Sequence, residues 1–157
     1  MAAAIATIFV VFWTTLHVAT GEVPVDGFAV FADLARLLAL PLAIAVLLAM
    51  IERGRSSDLI MGAASRSTSS TLIAAILRNT VEQTLLACLA LVAFLGASPF
   101  YPAEIGKAFA WLFFVGRVAF MLGYCLDPMW RFYGFSINFY SSVLLLGAAW
   151  FFAHRVA

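Results

Sequence analysis

Charged residues are scarce in this chain. They make up 11% of its 157 residues, 65% are hydrophobic, and the formal net charge is +1. A soluble globular domain is nearer to half apolar and about a quarter charged. The chain has no basic cluster either, so it lacks the electrostatic footprint of a nucleic-acid-binding protein. The composition predicts an integral membrane protein of several helices, too short and too hydrophobic for a second, soluble domain.

Side chains suited to metal binding or nucleophilic catalysis are also few. The two cysteines, Cys88 and Cys125, lie in apolar runs, where a cysteine usually behaves as a small buried hydrophobic residue. The polar residues within the long apolar runs include no histidine pair, cysteine cluster or carboxylate pair, and the sequence has no glycine-rich phosphate loop. These absences argue against a metal site and against acid–base catalysis by paired carboxylates.

Long apolar runs are what the chain has instead. A helix needs about 20 apolar residues to cross a bilayer, and four runs come close to or exceed that length: 28–51, 72–96, 104–126 and 128–152. The connections between the last three are short, which predicts antiparallel neighbours. We therefore predict an all-α protein with an antiparallel four-helix membrane domain at residues 28–157.

A shorter apolar segment, residues 1–20, precedes this domain. It has no basic region at its start, so a cleaved signal peptide is the weaker interpretation. We interpret it as an additional, marginal membrane span with His17 at the membrane surface. Residues 21–26 contain Gly, Pro and acidic side chains and predict a loop.

The distribution of arginine predicts the orientation. The loop at residues 52–70 carries Arg53, Arg55 and Arg66, whereas the 21–33 side is acidic. By the positive-inside rule the arginine-rich loop is cytoplasmic. With five spans, the N-terminus is then cytoplasmic and the C-terminus is outside.

Polar residues interrupt the run 72–96 near its start. At about 100° per residue, Arg78, Glu82, Asn79 and Gln83 span an arc of about 140°. A charge at mid-bilayer costs about 2.5–3.5 kcal/mol, whereas each Leu, Ile, Val or Phe returns only about 0.3–0.6 kcal/mol. This helix therefore needs polar partners, either from other helices or from a bound polar ligand.

Two more polar groups are predicted at the same depth. Arg117 and Tyr124 share a face of the run 104–126, and Arg131 shares a stripe with Asn138 on the last run. An internal ion-pair network, Glu82 with Arg117 or Arg78, would explain these groups by packing alone. Polar contacts in membranes contribute only about 0.6 kcal/mol on average, so we favour a functional site.

The excess of arginine over carboxylate indicates the ligand chemistry. Guanidinium groups bind carboxylates in a fork, so a small anionic peptide would suit this site. An arginine beside a thiol also lowers the pKa of that thiol from its usual value of about 8.5.

These residues resemble the MAPEG family, the membrane-associated proteins in eicosanoid and glutathione metabolism. The resemblance covers about residues 28–152 and looks most like the bacterial branch, whose members mostly lack assigned substrates. It rests on three stretches: Arg78-Asn79-Thr80-Val81-Glu82-Gln83, Gly116-Arg117-Val118-Ala119-Phe120-Met121-Leu122-Gly123-Tyr124, and Arg131-Phe132-Tyr133-Gly134-Phe135.

The resemblance implies a four-helix bundle assembled as a homotrimer, with glutathione held between subunits and residues 1–20 as an addition. It implies a glutathione-dependent transferase or peroxidase in a bacterial inner membrane, acting on lipophilic electrophiles that arrive from the surrounding lipid. By motif position, Arg131 would stabilise the glutathione thiolate. The residues expected to bind glutathione are Arg53, Arg78, Asn79, Glu82 and Tyr124, with Arg117 added from the face that it shares with Tyr124. Arg55 could take the place of Arg53.

The chain also departs from the family pattern. Ala75 stands where many members have arginine, and Phe120 stands where the prostaglandin E synthases have histidine. These differences point towards a second interpretation, a non-catalytic lipid-binding protein of the same fold. A third is a structural or transport subunit whose polar arc only packs.

Overall fold

The computed structural model describes residues 1–18, 26–55, 68–98, 102–124 and 126–156. Their regular structure is helical throughout, and the long helices confirm the predicted all-α membrane bundle. Those from α2 onwards are each long and apolar enough to cross a membrane. The helices are α1 (Ala2–Val18), α2 (Gly27–Gly54), α3 (Thr68–Ala97), α4 (Pro102–Gly123) and α5 (Pro128–Val156).

The helix starts follow local backbone chemistry. Asp26 Oδ1 accepts a hydrogen bond from the Phe28 N–H at 3.0 Å and caps α2. Asp127 Oδ1 accepts from the Met129 N–H at 2.6 Å, and Pro128 takes the first position of α5, where its missing N–H has no intrahelical partner to lose. Asp127 therefore caps α5, and Pro128 begins it.

The largest differences from the predicted spans are at the end of α5, which continues to Val156 rather than to residue 152, and at the start of α3. This helix begins at Thr68 rather than at Leu72, and its serine-containing first turn was predicted to be loop. The Ser69 hydroxyl donates to Glu52 Oε1 at 2.6 Å, so the end of α2 satisfies part of this polar turn. The predicted loops at 21–25 and 56–67, with Arg66, and the burial of Cys125 fall outside the described residues.

The four long helices form a ring in the order α2, α3, α5, α4. Helices that follow one another in the chain run in opposite directions: the start of α2 meets the end of α3 at Gly27 and Leu95, and the end of α4 meets the start of α5 at Gly123 and Arg131. Around the ring, α2 and α4 are therefore parallel neighbours, as are α3 and α5. The prediction that α3 and α4 are neighbours is wrong: they are antiparallel but lie diagonally across the ring and touch less than α4 and α5 do. We call the end where α2 and α4 finish and α3 and α5 begin the site end.

The bundle interior is apolar towards the end opposite the site end. Its fully buried side chains include Leu38, Leu91, Phe94, Phe109 and Phe113. The outer surface is apolar too, with large exposed residues such as Leu47, Leu89 and Trp150, as expected when the solvent is lipid.

The closest helix contact is between α4 and α5. A Cβ placed on Gly134 would overlap the carbonyl oxygen of Gly116 and the backbone of Phe120. Glycine at position 134 therefore lets the two backbones touch, which brings the polar side chains of α4 and α5 together.

Helix α1 lies outside the ring against α4 and α5. Ala4 and Ile8 are buried against Leu112 and Ile137. Its 17 residues are fewer than the roughly 20 that a perpendicular crossing requires. Helix formation at residues 2–18 matches the predicted extra helix, and the crossing of the membrane by this helix stays a prediction.

Candidate functional site

A buried arginine joins α3 to α4 inside the bundle. Arg117 is 0% exposed. Its Nη1 donates to Asn79 Oδ1 at 2.9 Å, and its Nη2 donates to Thr80 Oγ1 at 2.5 Å. Its Cζ lies 4.2 Å from the centroid of the Phe120 ring, so the aromatic face also contacts the cation. Two of the predicted site residues, Arg117 and Asn79, are therefore in direct contact.

The contact between α4 and α5 fixes the backbone around Arg117. The Asn138 side chain lies against α4 beside Gly116, where any Cβ would overlap it. With its amide oriented to suit these neighbours, Asn138 donates to the Phe113 carbonyl at 3.1 Å and accepts from the Arg117 N–H at 3.2 Å. The Ser142 hydroxyl donates to the Asn138 carbonyl at 2.7 Å. This polar layer links α3, α4 and α5.

A second group of predicted residues lies between α2 and α3. Arg53 and Arg78 line one cavity of about 270 Å³ near the site end. Glu52 lines it as well, but its carboxylate accepts from Ser69. The cavity therefore presents two guanidinium groups and one carboxylate.

The third group lies where α4 ends and α5 begins. The Cζ of Arg131 is 5.0 Å from the centroid of the Tyr124 ring. Arg131 is exposed, and the close approach of Gly123 to its backbone fixes the start of α5 against the end of α4. Sequence reasoning placed Tyr124 and Arg131 in one site, and the structure brings these two side chains into contact.

Glu82 stands apart from these contacts. It is exposed, on the same outward face of α3 as Arg78 and the apolar residues Val81, Leu85 and Leu89. The Arg36–Asp33 contact is the one ion pair formed among the residues that the structure describes. The network of Glu82 with Arg117 or Arg78, considered above as a packing explanation, is therefore not formed there.

The predicted residues thus share one end of the bundle but not one pocket of a single chain. The cavity with Arg53 and Arg78 lies at the edge formed by α2 and α3, whereas Tyr124 and Arg131 lie at the opposite edge, formed by α4 and α5. Arg117 occupies the interior between them.

Sequence reasoning missed the role of Thr80, which is buried and accepts from Arg117. Helical position was the available signal. Thr80 is about 100° from Asn79 around α3, in the direction that leads away from the exposed Arg78 and towards the bundle interior. Within the described ranges, no group of three or more metal-ligating side chains comes together.

These features define a polytopic helical membrane protein with an internal polar layer and clustered arginines at one end. Comparison with protein families agrees with the resemblance drawn from the sequence: the model of the MAPEG family matches residues 1–151, including α1. The chain belongs to the MAPEG family. No curated protein and no solved structure matches it.

Proposed function

We propose that this protein is a glutathione-dependent transferase or peroxidase that acts on lipophilic electrophiles. The observation that carries the proposal is the clustering of exposed guanidinium groups at the site end. Arg53, Arg78 and Arg131 form no ion pair within the described part of the chain. Glutathione carries two carboxylates, which guanidinium forks bind well. Family membership supports the same chemistry.

We further propose that glutathione is held between the subunits of a homotrimer. The two arginine-bearing edges are on opposite sides of one bundle. Because packed helix axes are about 8–10 Å apart, the bundle itself separates the guanidinium groups of one edge from those of the other. A head-to-tail contact that closes into a ring would set the edge with Arg78 against the neighbour's edge with Arg131. It would also cover exposed Glu82, whose charge is costly in lipid.

In this proposal Arg131 stabilises the glutathione thiolate. The thiolate sulfur attacks the electrophilic carbon, a carbon–sulfur bond forms, and the leaving group departs with its bonding electron pair. The guanidinium group stays protonated throughout, so its contribution is electrostatic and greatest where negative charge resides on sulfur. The pKa of a bound thiol is lowered by a neighbouring cation.

Orientation in the membrane is consistent with this supply of glutathione. The site end is where α2 ends and α3 begins, and the connection between them with its flanks, residues 52–70, carries Arg53, Arg55 and Arg66. By the positive-inside rule this end faces the cytoplasm, where glutathione keeps thiols reduced. A bacterial inner membrane is the proposed location.

An apolar cavity near Arg131 would admit the second substrate from lipid. It has a volume of about 280 Å³, and all of its lining side chains are apolar except for the indole N–H of the tryptophan. They are Phe114, Val115, Val118, Ala119, Leu122, Leu126 and Trp130. The same cavity is the observation that favours the alternative function, non-catalytic binding of a lipid.

The test is a titration of the purified oligomer with glutathione, followed by the ultraviolet absorbance of the thiolate. We expect a saturating thiolate signal and turnover of a chlorinated nitroaromatic substrate. Arg131→Ala should abolish the signal and turnover but keep much of the glutathione affinity. Arg155→Ala is the matched control, because Arg155 makes a similar contact with Phe151, at 4.8 Å, at the other end of α5.

Two outcomes would contradict the proposal. If Arg131→Ala turns over the substrate as fast as wild type, Arg131 does not stabilise the thiolate. If millimolar glutathione gives neither a thiolate signal nor thermal stabilisation of the wild type, the non-catalytic lipid-binding function is favoured instead.

A further inference from the structure

The surroundings of Arg117 do not match those of an arginine kept for packing. Its guanidinium is fully buried, and both of its hydrogen-bond acceptors, Asn79 Oδ1 and Thr80 Oγ1, are neutral. No acidic residue in the described ranges pairs with it. An unpaired buried charge is costly, and an apolar side chain of similar volume usually serves packing as well or better.

Some polar groups in the layer around Arg117 lack a hydrogen-bond partner. Three buried polar atoms have no hydrogen-bond partner within the described protein: Arg117 Nε, Gln83 Oε1 and Thr84 Oγ1. Such groups are few in native proteins, and each calls for an explanation. Gln83 and Thr84 lie one turn of α3 beyond Asn79 and Thr80, so the atoms without partners and the Arg117 contacts share one stretch of that helix.

The contact with Arg117 determines which way the Asn79 amide faces. A guanidinium group has five N–H donors and no acceptor, so the Asn79 atom that faces it is Oδ1. The two N–H groups on Asn79 Nδ2 are then directed away from Arg117, and within the described residues they donate to no acceptor. Asn79 is only half-buried, whereas Thr80 beside it is fully buried.

Glu82 offers a hydrogen-bond acceptor where Asn79 offers a donor. It lies one helical turn from Asn79, at the i, i+3 spacing that makes side chains neighbours on a helix surface. The oxygens of a carboxylate accept hydrogen bonds. One turn of α3 therefore presents a donor at Asn79 and an acceptor at the exposed Glu82.

We propose that Arg117 is a positioning residue that turns the Asn79 amide so that its N–H groups donate to a carboxylate or carbonyl oxygen of the bound peptide. Glu82, which the family resemblance already implies as a glutathione-binding residue, supplies an acceptor for the ammonium group of that peptide. The charge of Arg117 polarises the Asn79 amide, and the ligand carboxylate supplies the missing negative charge one hydrogen bond away. This proposal rests on the proposed function, in which the peptide is glutathione.

Asn79→Asp separates this role from a structural one. The new carboxylate keeps an oxygen facing Arg117 and gives it an ion pair, but removes both N–H groups. We expect a higher melting temperature without ligand and a loss of glutathione affinity of about tenfold or more, the usual effect of losing a hydrogen bond to a charged group. A structural role for Asn79 predicts the higher melting temperature with unchanged affinity.

Changes at Arg117 test the other half of the contact. Arg117→Met removes the charge at similar volume, so the melting temperature should not fall, while glutathione affinity should drop because Asn79 is free to turn. Arg117→Lys keeps a donor for Asn79 and should recover part of that affinity. Thr80→Val is the matched control, because it removes the other acceptor of Arg117 and leaves the contact with Asn79 intact.

The measurements are calorimetric glutathione titration and thermal unfolding, both on the intact purified oligomer. If wild type binds glutathione and Asn79→Asp binds it equally well, the positioning role is refuted while the proposed function stands. The same holds if Arg117→Met folds and binds equally well. If wild type binds no glutathione, the proposed function and this inference fail together. Should Arg117→Met not fold, Asn79→Asp decides the question.

Discussion

Replacing Gly134 by alanine should separate α4 from α5. The added methyl group would overlap the Gly116 carbonyl oxygen and the Phe120 backbone nitrogen. Because these are backbone atoms rather than flexible side-chain ends, the helices themselves must move. Overpacking of this kind costs about 1–3 kcal/mol, and we expect the upper part of that range.

Part of the cost is offset by helix propensity. Alanine in a helix interior is more favourable than glycine by about 0.5–1 kcal/mol. The expected net loss in the free energy of unfolding is therefore about 2 kcal/mol. For a chain of this size that corresponds to a melting temperature about 4–8 °C lower.

Gly147→Ala is the matched control on the same helix. No atom lies within 4 Å of a Cβ built at Gly147, so only the propensity gain of about 0.5–1 kcal/mol applies. The two variants should move the melting temperature in opposite directions when unfolding in detergent is followed by circular dichroism. If Gly134→Ala is as stable as wild type, the close approach of α4 and α5 described here is wrong.

Two further predictions concern stability. The Thr7 and Tyr133 hydroxyls form a hydrogen bond of 2.9 Å between α1 and α5, so Thr7→Val and Tyr133→Phe should each lower the free energy of unfolding by about 0.5–1.5 kcal/mol. The double variant should lose little more than either single variant. Additive losses would show that the bond does not form. Phe113 is buried in the core, and Phe113→Ala should lower the free energy of unfolding by about 3–5 kcal/mol. Trp111 is 59% exposed on the outer surface of the same helix, so Trp111→Ala should lower it much less. Equal melting temperatures for the two variants would contradict the assigned core.

The sequence predicted the helices well because hydrophobic run length is a strong signal in membrane proteins. The spans at 28–51 and 128–152 each lie inside an observed helix. The start of α3 lies earlier than the prediction because serine-rich stretches usually indicate a loop, whereas the contact from Ser69 to Glu52 depends on tertiary structure. The diagonal placement of α3 and α4 likewise depends on packing, which loop length does not determine.

For the candidate site, helical periodicity gave the direction of each side chain but not its partner. The arc from Arg78 to Gln83 runs from the exposed face to the interior: Arg78 is exposed and Gln83 is buried. The pairing of Arg117 with Asn79 and Thr80 rather than with Glu82 could not be derived, because the rotation of α4 against α3 is set by the contacts of both with α5.

The central claim is that two neighbouring chains share each glutathione site. Mixed oligomers test it most directly: one subunit carries Arg131→Ala, the other carries Arg78→Ala, and each variant alone gives no thiolate signal. The Arg131→Ala subunit keeps its α2–α3 edge intact, and the Arg78→Ala subunit keeps its α4–α5 edge intact. When equal amounts assemble at random into a closed head-to-tail ring, these two intact edges meet at about a quarter of the sites. We predict that this share of the wild-type thiolate signal returns on mixing. A mixture as silent as its two components would contradict a site built between chains.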